Sequence, residues 1–105
     1  MITQFKKGIV EVCVLKIISN KDMYGFEIIQ KLADDLDINE NTVYPLLRRL
    51  TKQGLLETYS KESEIGPTRK YYKTTKKGLV MLKQYIEEWY AFNKSVGKIL
   101  EEKNE

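Results

Sequence analysis

The feature that most constrains this chain is a long amphipathic segment at its C-terminal end, over residues 76–103. Its inward positions recur at alternating spacings of three and four residues, the a/d pattern of paired helices. At ~1.5 Å per residue the helix would be roughly 40 Å long, too long for a domain of 105 residues to cover. The segment therefore predicts self-association. The predicted seam consists of Leu79, Leu82, Ile86, Trp89, Asn93, Val96 and Leu100.

Asn93 interrupts this otherwise apolar seam and leaves two interpretations open. A polar residue at a seam position fixes the register of paired helices at some cost in stability. Alternatively, Asn93 marks the point where the seam turns away to solvent.

Three shorter amphipathic helices are predicted before this segment, over residues 3–18, over residues 24–36, and from Asn39 or Asn41 to Gln53. Pro45 favours a start of the third helix near Asn41, because a proline costs little only in the first turn. Gly54 then supplies the C′ position that ends the helix.

Two segments rich in Tyr, Thr and Leu, residues 55–60 and 69–74, predict strands joined by a polar loop with a Gly66-Pro67 break. Thr74 or Thr75 can cap the last helix. Three helices, a β-hairpin and a long helix give a mainly α fold with a small β-hairpin, a winged helix-turn-helix plus a C-terminal helix. We expect a DNA-binding domain over residues 1–75 and a dimerisation helix over residues 76–105.

Composition excludes several classes of function. The chain has no His and one Cys, so zinc sites of the Cys₂His₂ type, Cys–His nucleophile pairs and His general bases are absent. Cys13 lies in an apolar run and is expected to be a small buried hydrophobe. Asp34, Asp35 and Asp37 are expected to form a solvated turn rather than a metal site. We predict no enzyme activity, no metal and no cofactor.

No apolar stretch approaches the length of a membrane span, and Glu11 and Lys16 interrupt the apolar run near the N-terminus. We therefore expect a cytoplasmic protein. Its net charge is +3, and the excess lies mid-chain: residues 61–77 hold six Lys and Arg against two Glu, a net +4. A basic hairpin that follows a helix carrying Arg48 and Arg49 favours a polyanionic partner.

The third helix is predicted to enter the major groove with its first residues at the base edges. Asn41 and Arg48 suit adenine and guanine respectively, and Pro45 can contact a thymine methyl. Lys76 and Lys77 oppose the macrodipole of the last helix, which a nearby phosphate would explain. The alternatives are a solvated face for Arg48 and Arg49, and packing of Tyr44 against the wing. The predicted DNA-binding residues are Tyr24, Asn41, Thr42, Tyr44, Pro45, Arg48, Arg49, Lys52, Lys61, Arg69, Lys70 and Lys73.

The chain resembles the PadR-type transcriptional regulators, specifically the short subgroup with one C-terminal helix. The resemblance rests on MYGFEI at residues 23–28, NTVYPLLRRL at 41–50, QGLL at 53–56, RKYY at 69–72 and the step from Thr75 to Gly78. The match covers nearly the whole chain, and these segments come in family order. One departure is Thr74, where the pattern usually has a bulky apolar residue; it bears on how the second strand packs, not on the DNA-binding motif.

The resemblance implies a homodimer in which the last helix packs against the partner's first and last helices, so that Phe5, Ile9 and Val12 join the seam at the interface. It also implies a palindromic operator, and a planar apolar or cationic ligand stacked on Trp89, as in multidrug-responsive relatives. The aromatic residues nearby extend this ligand site. Its predicted residues are Trp89, Tyr85, Phe92, Phe5 and Ile9.

The function predicted is therefore a sequence-specific DNA-binding regulator, with repression by promoter occlusion as the simpler mode. One alternative is a winged-helix adaptor whose third helix and wing bind a protein, so that the basic residues are dispensable. Another is a different class of winged-helix regulator with a distinct dimer and effector.

Overall fold

The computed structural model describes residues 8–63 and 65–102. Within them, helix α1 (Ile9–Asn20) is followed by strand β1 (Met23–Tyr24), helices α2 (Gly25–Leu36) and α3 (Glu40–Lys52), strands β2 (Leu56–Lys61) and β3 (Arg69–Thr74), and helix α4 (Lys76–Leu100). The predicted fold class is confirmed: a mainly α chain with a small sheet, arranged as a winged helix with a long C-terminal helix.

The start of α3 corrects the sequence-based argument from Pro45. The cap is Asn39, whose side-chain oxygen accepts a hydrogen bond from the Thr42 N–H at 3.3 Å, and the helix begins at Glu40. Pro45 consequently lies in the second turn, where it removes a hydrogen bond to the Asn41 carbonyl. Both residues are on the exposed face, so water can satisfy that carbonyl.

The end of α3 forms as predicted. Gly54 has a φ of 78°, in the left-handed region that favours glycine. Its N–H donates to the Thr51 carbonyl at 3.0 Å, and the Leu55 N–H donates to the Leu50 carbonyl at 3.0 Å. These two bonds are the Schellman arrangement, which satisfies the last carbonyls of the helix and turns the chain into β2.

The sheet has three antiparallel strands in the order β1-β3-β2, one more than the predicted hairpin. Tyr24 was expected to open the second helix, but it pairs with Tyr71 in β1, and α2 begins one residue later. In the second ladder Tyr59 is opposite Tyr71 and Leu56 is opposite Thr74. Two residues are too few to show an alternating pattern, so sequence alone could not indicate β1.

The core lies between α1, α2, α3, the inward face of the sheet and the first turns of α4. Its large members are almost wholly inaccessible to solvent, as their helical and strand spacing predicts. The fully buried large side chains are Val14, Leu15, Ile18, Ile28, Leu32, Val43, Leu47, Leu50 and Leu56.

Thr75, the residue before α4, connects the start of this helix to the end of α3. The Thr75 hydroxyl accepts a hydrogen bond from the Gly78 N–H at 2.9 Å and donates to the Gly54 carbonyl at 2.6 Å. Of the two predicted caps, Thr75 is therefore the one used. Thr74 is buried, and its hydroxyl donates to the Leu15 carbonyl in α1 at 3.3 Å. The departure from the family pattern at Thr74 thus gives a polar tie between β3 and α1.

Among the described residues, no helix is both long enough and apolar enough to cross a membrane.

Candidate nucleic-acid interface

Helix α3 presents one face to the core and the opposite face to solvent. Val43, Leu46, Leu47 and Leu50 are buried at spacings of three and four. The other face carries the side chains predicted to meet DNA, and all of them are exposed: Asn41, Thr42, Tyr44, Pro45, Arg48, Arg49 and Lys52. A helix held by its apolar side with a polar, basic side free has the form needed to enter a major groove.

Tyr44 lies between α2 and the wing. A β-carbon on Gly25 would be 3.6 Å from both Cε1 and the hydroxyl oxygen of Tyr44, so the ring passes over the first residue of α2. Burial first, and the neighbouring Tyr44 phenol second, raise the pKa of Tyr72 in β3, whereas Arg48 lowers it. Tyr44 and Arg48 of α3 therefore act electrostatically on Tyr72 of β3.

The two consecutive arginines of α3 serve different surfaces. The Arg49 guanidinium forms an ion pair with the Glu11 carboxylate in α1. Arg48, one position earlier and about 100° away around the helix axis, influences Tyr72 of the wing instead. Arg49 is one of the predicted DNA-binding residues, and in the structure its ion pair links α1 to α3.

The wing cations divide between the two faces of the sheet, because successive side chains of a strand point to opposite sides. Lys70 is on the inward face with Tyr72, and its Nζ lies 5.6 Å from the Tyr72 ring centroid. Arg69 and Lys73 are on the outward face, as Lys61 is in β2. The predicted basic wing is present, but only Lys70 shares a face with Tyr72.

The two lysines that open α4 differ in their surroundings. The Lys77 Nζ donates to the Gln53 carbonyl at the C-terminus of α3, at 3.0 Å. A cation at the negative end of a helix is favourable, and this offsets its position in the first turn of α4. A phosphate is therefore not needed to explain Lys77, which corrects that part of the prediction. Lys76 is exposed.

The acidic residues that end α2 are engaged with their own helix. Lys31 Nζ lies 2.9 Å from Asp35 Oδ2, and the amide of Gln30 donates to Asp34 Oδ1 at 3.2 Å. Within residues 8–63 and 65–102 no group of three or more Cys, Asp and Glu side chains is arranged to hold a metal ion.

A groove of 530 Å³ lies between α1, α2 and the middle of α4. Of the predicted ligand residues, Trp89 and Ile9 line it, Tyr85 and Phe92 do not, and Phe5 is outside the described residues. The wall is mostly apolar, with two lysines and one aspartate. The lining residues are Ile9, Val12, Cys13, Lys16, Ile17, Lys31, Leu32, Asp35, Leu36, Ile86, Trp89 and Tyr90.

One member of the predicted dimer seam belongs to the chain's own core. Leu82 is only 5% exposed, which leaves almost no surface for a second chain. This corrects its assignment to the interface: the first turns of α4 are needed to close the winged helix. Farther along the seam, Trp89 is 41% exposed and Leu100 is 77% exposed. Cys13, predicted to be buried, is half-buried, and burial raises the pKa of its thiol.

Comparison with known proteins agrees with this arrangement. The sequence profile of the transcriptional regulator PadR-like family matches residues 14–84, from the middle of α1 to the first turns of α4. The chain belongs to the PadR-like family. It is therefore a DNA-binding transcriptional regulator by family, as predicted.

Several PadR-like proteins of known structure are similar over nearly the full chain. A PadR-like regulator from Bacillus cereus is 38% identical, with 96% of this chain and 100% of that chain covered and a TM-score of 0.87. A PadR family regulator from Eggerthella lenta is 36% identical, with 95% and 88% covered and a TM-score of 0.86. A curated protein of Lysinibacillus sphaericus whose name states no function is 30% identical over 99 residues, 90% of this chain and 91% of its own length.

Sequence reasoning missed the contacts that join distant segments of this PadR-like chain. Glu11 was seen only as an interruption of an apolar run, yet it pairs with Arg49. Asp22, between α1 and β1, was given no role, yet it accepts a hydrogen bond from the Tyr59 hydroxyl at 2.7 Å. Neither contact follows a helical or strand spacing. A signal was available only for Lys31 and Asp35, which are four residues apart in one helix.

Proposed function

We propose that this PadR-like chain is a sequence-specific repressor that binds a palindromic operator as a homodimer. The observation that carries the proposal is the exposed face of α3. Asn41, Thr42 and Arg48 are exposed there, while the opposite face of the helix is buried in the core. Asn and Arg side chains are the usual readers of adenine and guanine edges. The wing adds Lys70 beside Tyr72, next to the same face, where it can reach phosphate.

Dimerisation is supported by the distal half of α4. This half extends from the domain, giving the described chain a long axis of 66 Å against 27 and 20 Å. Phe92 and Leu100 are largely exposed there and Trp89 is partly exposed, and a partner would cover such an apolar surface. A second copy of α4 is that partner, because the seam repeats in both chains and a two-fold axis brings the same patch together. Repression then follows from occlusion of promoter DNA by the dimer.

The groove beside Trp89 supports a small-molecule effector. A mostly apolar wall with an indole at its edge suits a planar apolar ligand. Lys16 and Lys31 outnumber Asp35 along the wall, and Asp35 is already paired with Lys31. The charges therefore favour a neutral planar ligand over the cationic one that was the other expectation. Release of DNA would follow if the ligand binds the DNA-free dimer better than the bound one.

The test is fluorescence anisotropy of labelled promoter fragments, including the gene's own upstream region, at low and at physiological salt. The proposal expects one fragment to bind far more tightly than the rest, with two chains per site, and to remain bound at physiological salt. Several neutralised phosphates should give a steep salt dependence. The matched variants are Arg48→Ala, which should abolish selectivity, and Lys83→Ala, an exposed lysine of α4 distant from α3, which should not.

Uniform weak binding that disappears with salt would contradict the proposal. It would mean that the basic surface attracts any polyanion without reading sequence. The winged-helix adaptor would then be the better account, and Arg48→Ala would leave the biological activity of the chain unchanged.

A further inference from the structure

Three tyrosines form a row across the outward face of the sheet. Tyr24 in β1 and Tyr59 in β2 are both opposite Tyr71 in the central strand β3. The rings of Tyr59 and Tyr71 are stacked, with centroids 5.5 Å apart and planes 12° apart. The rings of Tyr24 and Tyr71 are 5.6 Å apart and tilted by 57°. We call this row the tyrosine ladder; it spans all three strands.

Two wing cations rest on the tyrosine ladder. The Arg69 guanidinium carbon lies 4.5 Å from the centroid of the Tyr24 ring, and Lys61 Nζ lies 5.6 Å from that of Tyr71. Both distances are within the range of cation–π attraction. Arg69 and Lys61 are the first and last residues of the paired strands, next to the wing loop, so these contacts hold the end of the hairpin against its base.

A hydrogen bond ties the tyrosine ladder to the helical body. The Tyr59 hydroxyl donates to Asp22 Oδ2 at 2.7 Å, and Asp22 lies between α1 and β1. At the opposite end of the ladder, Tyr24 is followed by Gly25, over which Tyr44 of α3 passes. The ladder therefore connects the wing both to the segment after α1 and, through Gly25 and Tyr44, to the recognition helix α3.

We propose that Tyr59 and Asp22 are positioning residues for DNA binding: their hydrogen bond fixes the wing in the orientation that meets DNA beside α3. The inference rests on the proposed function. Neither side chain is on the face of the sheet that carries Lys70, so neither needs to touch DNA itself. Their effect is on the freedom of the wing before binding.

The physical reason is the conformational entropy of the hairpin. Strands β2 and β3 have six residues each, and residues 62 and 65–68 of the loop that joins them are exposed. A hairpin of this size is marginally stable by itself in water. A wing that moves in the free protein must be ordered when it binds DNA, and that ordering weakens the complex. A wing that is already fixed binds without this cost.

The experiment compares two duplexes: the selected operator fragment with its flanking base pairs, and a shortened one that keeps only the base pairs under the two recognition helices. Tyr59→Phe and Asp22→Ala remove the hydrogen bond. On the long duplex each should lower affinity about three- to tenfold, the effect of freeing one or two side chains and their segment. On the shortened duplex, where the wing has nothing to contact, each should bind as the wild type does.

The controls separate positioning from other effects. The double variant should bind DNA no more weakly than either single variant, because each single variant already removes the same hydrogen bond. Asp22→Asn keeps an oxygen acceptor for the Tyr59 hydroxyl and should retain most of the affinity. Ser95→Ala removes an exposed hydroxyl of α4 on the side opposite the seam and should change nothing. Lys70→Ala should reduce the salt slope on the long duplex, whereas Tyr59→Phe should leave the slope unchanged.

Three outcomes would overturn the inference. Equal losses on the long and short duplexes would mean that the variants damage the whole domain. Wild-type affinity of Tyr59→Phe on both duplexes would mean that wing position does not depend on the bond. Additive losses in the double variant would mean that the two residues act separately. If the wild type itself selects no fragment, the proposed function fails with it; if the wild type selects one, only the inference is lost.

Discussion

At the scale of single residues, two glycines of α4 differ in the space around them: Gly78 is closely packed, whereas Gly97 is open. A β-carbon on Gly78 would lie 2.2 Å from the Leu55 carbonyl oxygen and 2.8 Å from Cγ2 of Thr74. The N-terminal turn of α4 can therefore cross the chain after α3 only with no side chain at this point. At Gly97 nothing lies within 4 Å of the position that a β-carbon would take.

Gly78→Ala should consequently destabilise the chain by about 3 kcal/mol or more, because the obstructing atom is backbone and cannot move aside. Gly97→Ala is the matched control in the same helix, and it should stabilise by ~0.5–1 kcal/mol since alanine is the better helix former. Urea unfolding followed by circular dichroism measures both. Equal midpoints for the two variants would contradict the close approach at Gly78.

The hydrogen bond of Tyr59 also predicts a pH dependence. Its bond to Asp22, and to a lesser extent burial, raises the pKa of Tyr59 from its ordinary value of 10.0 to about 12. A raised pKa means that the folded state holds the proton more tightly, so this stabilisation is complete below pH 10 and is lost as the pH rises through about 12. Tyr59→Phe should therefore be less stable than the wild type at pH 8, and the difference should shrink toward pH 12.

Unfolding curves at several alkaline pH values check this, together with phenolate absorbance to follow the tyrosines. The comparison between the two proteins cancels the titration of the lysines. Tyr72, whose pKa is raised chiefly by burial, should keep an alkaline loss of stability in both proteins. A stability difference that stays constant from pH 8 to pH 12 would show that the Tyr59 hydroxyl titrates in the same way in the folded and unfolded chains.

At the scale of secondary-structure elements, two asparagines near the start of α3 have different roles: Asn39 caps the helix, whereas Asn41 is predicted to contact DNA bases. Asn39 caps the helix by accepting from the Thr42 N–H, whereas Asn41, two residues later, is exposed on the opposite side of that boundary. Asn39→Ala should cost about 1 kcal/mol in stability, the usual effect of losing a cap. Asn41→Ala should change stability by less than ~0.5 kcal/mol and instead weaken binding to the selected fragment.

The pair is tested by measuring unfolding and fragment affinity for both variants. The prediction is a crossed result, with stability lost in Asn39→Ala and selectivity lost in Asn41→Ala. If Asn41→Ala loses stability as Asn39→Ala does, then Asn41 is part of the cap. The original sequence-based start of the helix would then be the better one.

The sequence predicts the elements whose formation depends on local signals, and it misses the contacts that depend on tertiary packing. Helices α2, α3 and α4 and strands β2 and β3 were predicted with small shifts of boundary, because their apolar spacing and their caps are local signals. Pro45 misled the placement of the third helix, since the side chain of Asn39 and the solvent-facing position of Pro45 outweigh its usual first-turn preference. The strand β1 and the Glu11–Arg49 and Asp22–Tyr59 contacts depend on tertiary packing, which no local pattern records.

At the scale of the whole molecule, the open question is what covers α4. The helix was predicted to need a partner along its full seam. The structure changes that expectation at one position: Leu82 is buried within its own chain, whereas Leu79 is 48% exposed and large apolar side chains between Trp89 and Leu100 are exposed as well. The groove beside Trp89 lies next to the same half of the helix. A dimer formed there would bring the effector groove and the partner helix together, so ligand binding and subunit packing would be coupled.

Leu100→Asp tests the proposed dimer, because Leu100 is a seam residue with little contact inside its own chain. The wild type should sediment at twice its chain mass of 12.3 kDa. The variant replaces one leucine per protomer of the proposed apolar seam with a charged carboxylate that would have to be desolvated there, so its dimer dissociation constant should rise at least about a hundredfold. Ser95→Asp introduces the same charge on the opposite side of the helix and should leave the dimer intact. Because the winged helix does not need Leu100, both variants should unfold at wild-type midpoints at concentrations where the wild type is monomeric. A wild type that stays monomeric at every concentration, or equal weakening by both variants, would mean that α4 does not pair along this seam.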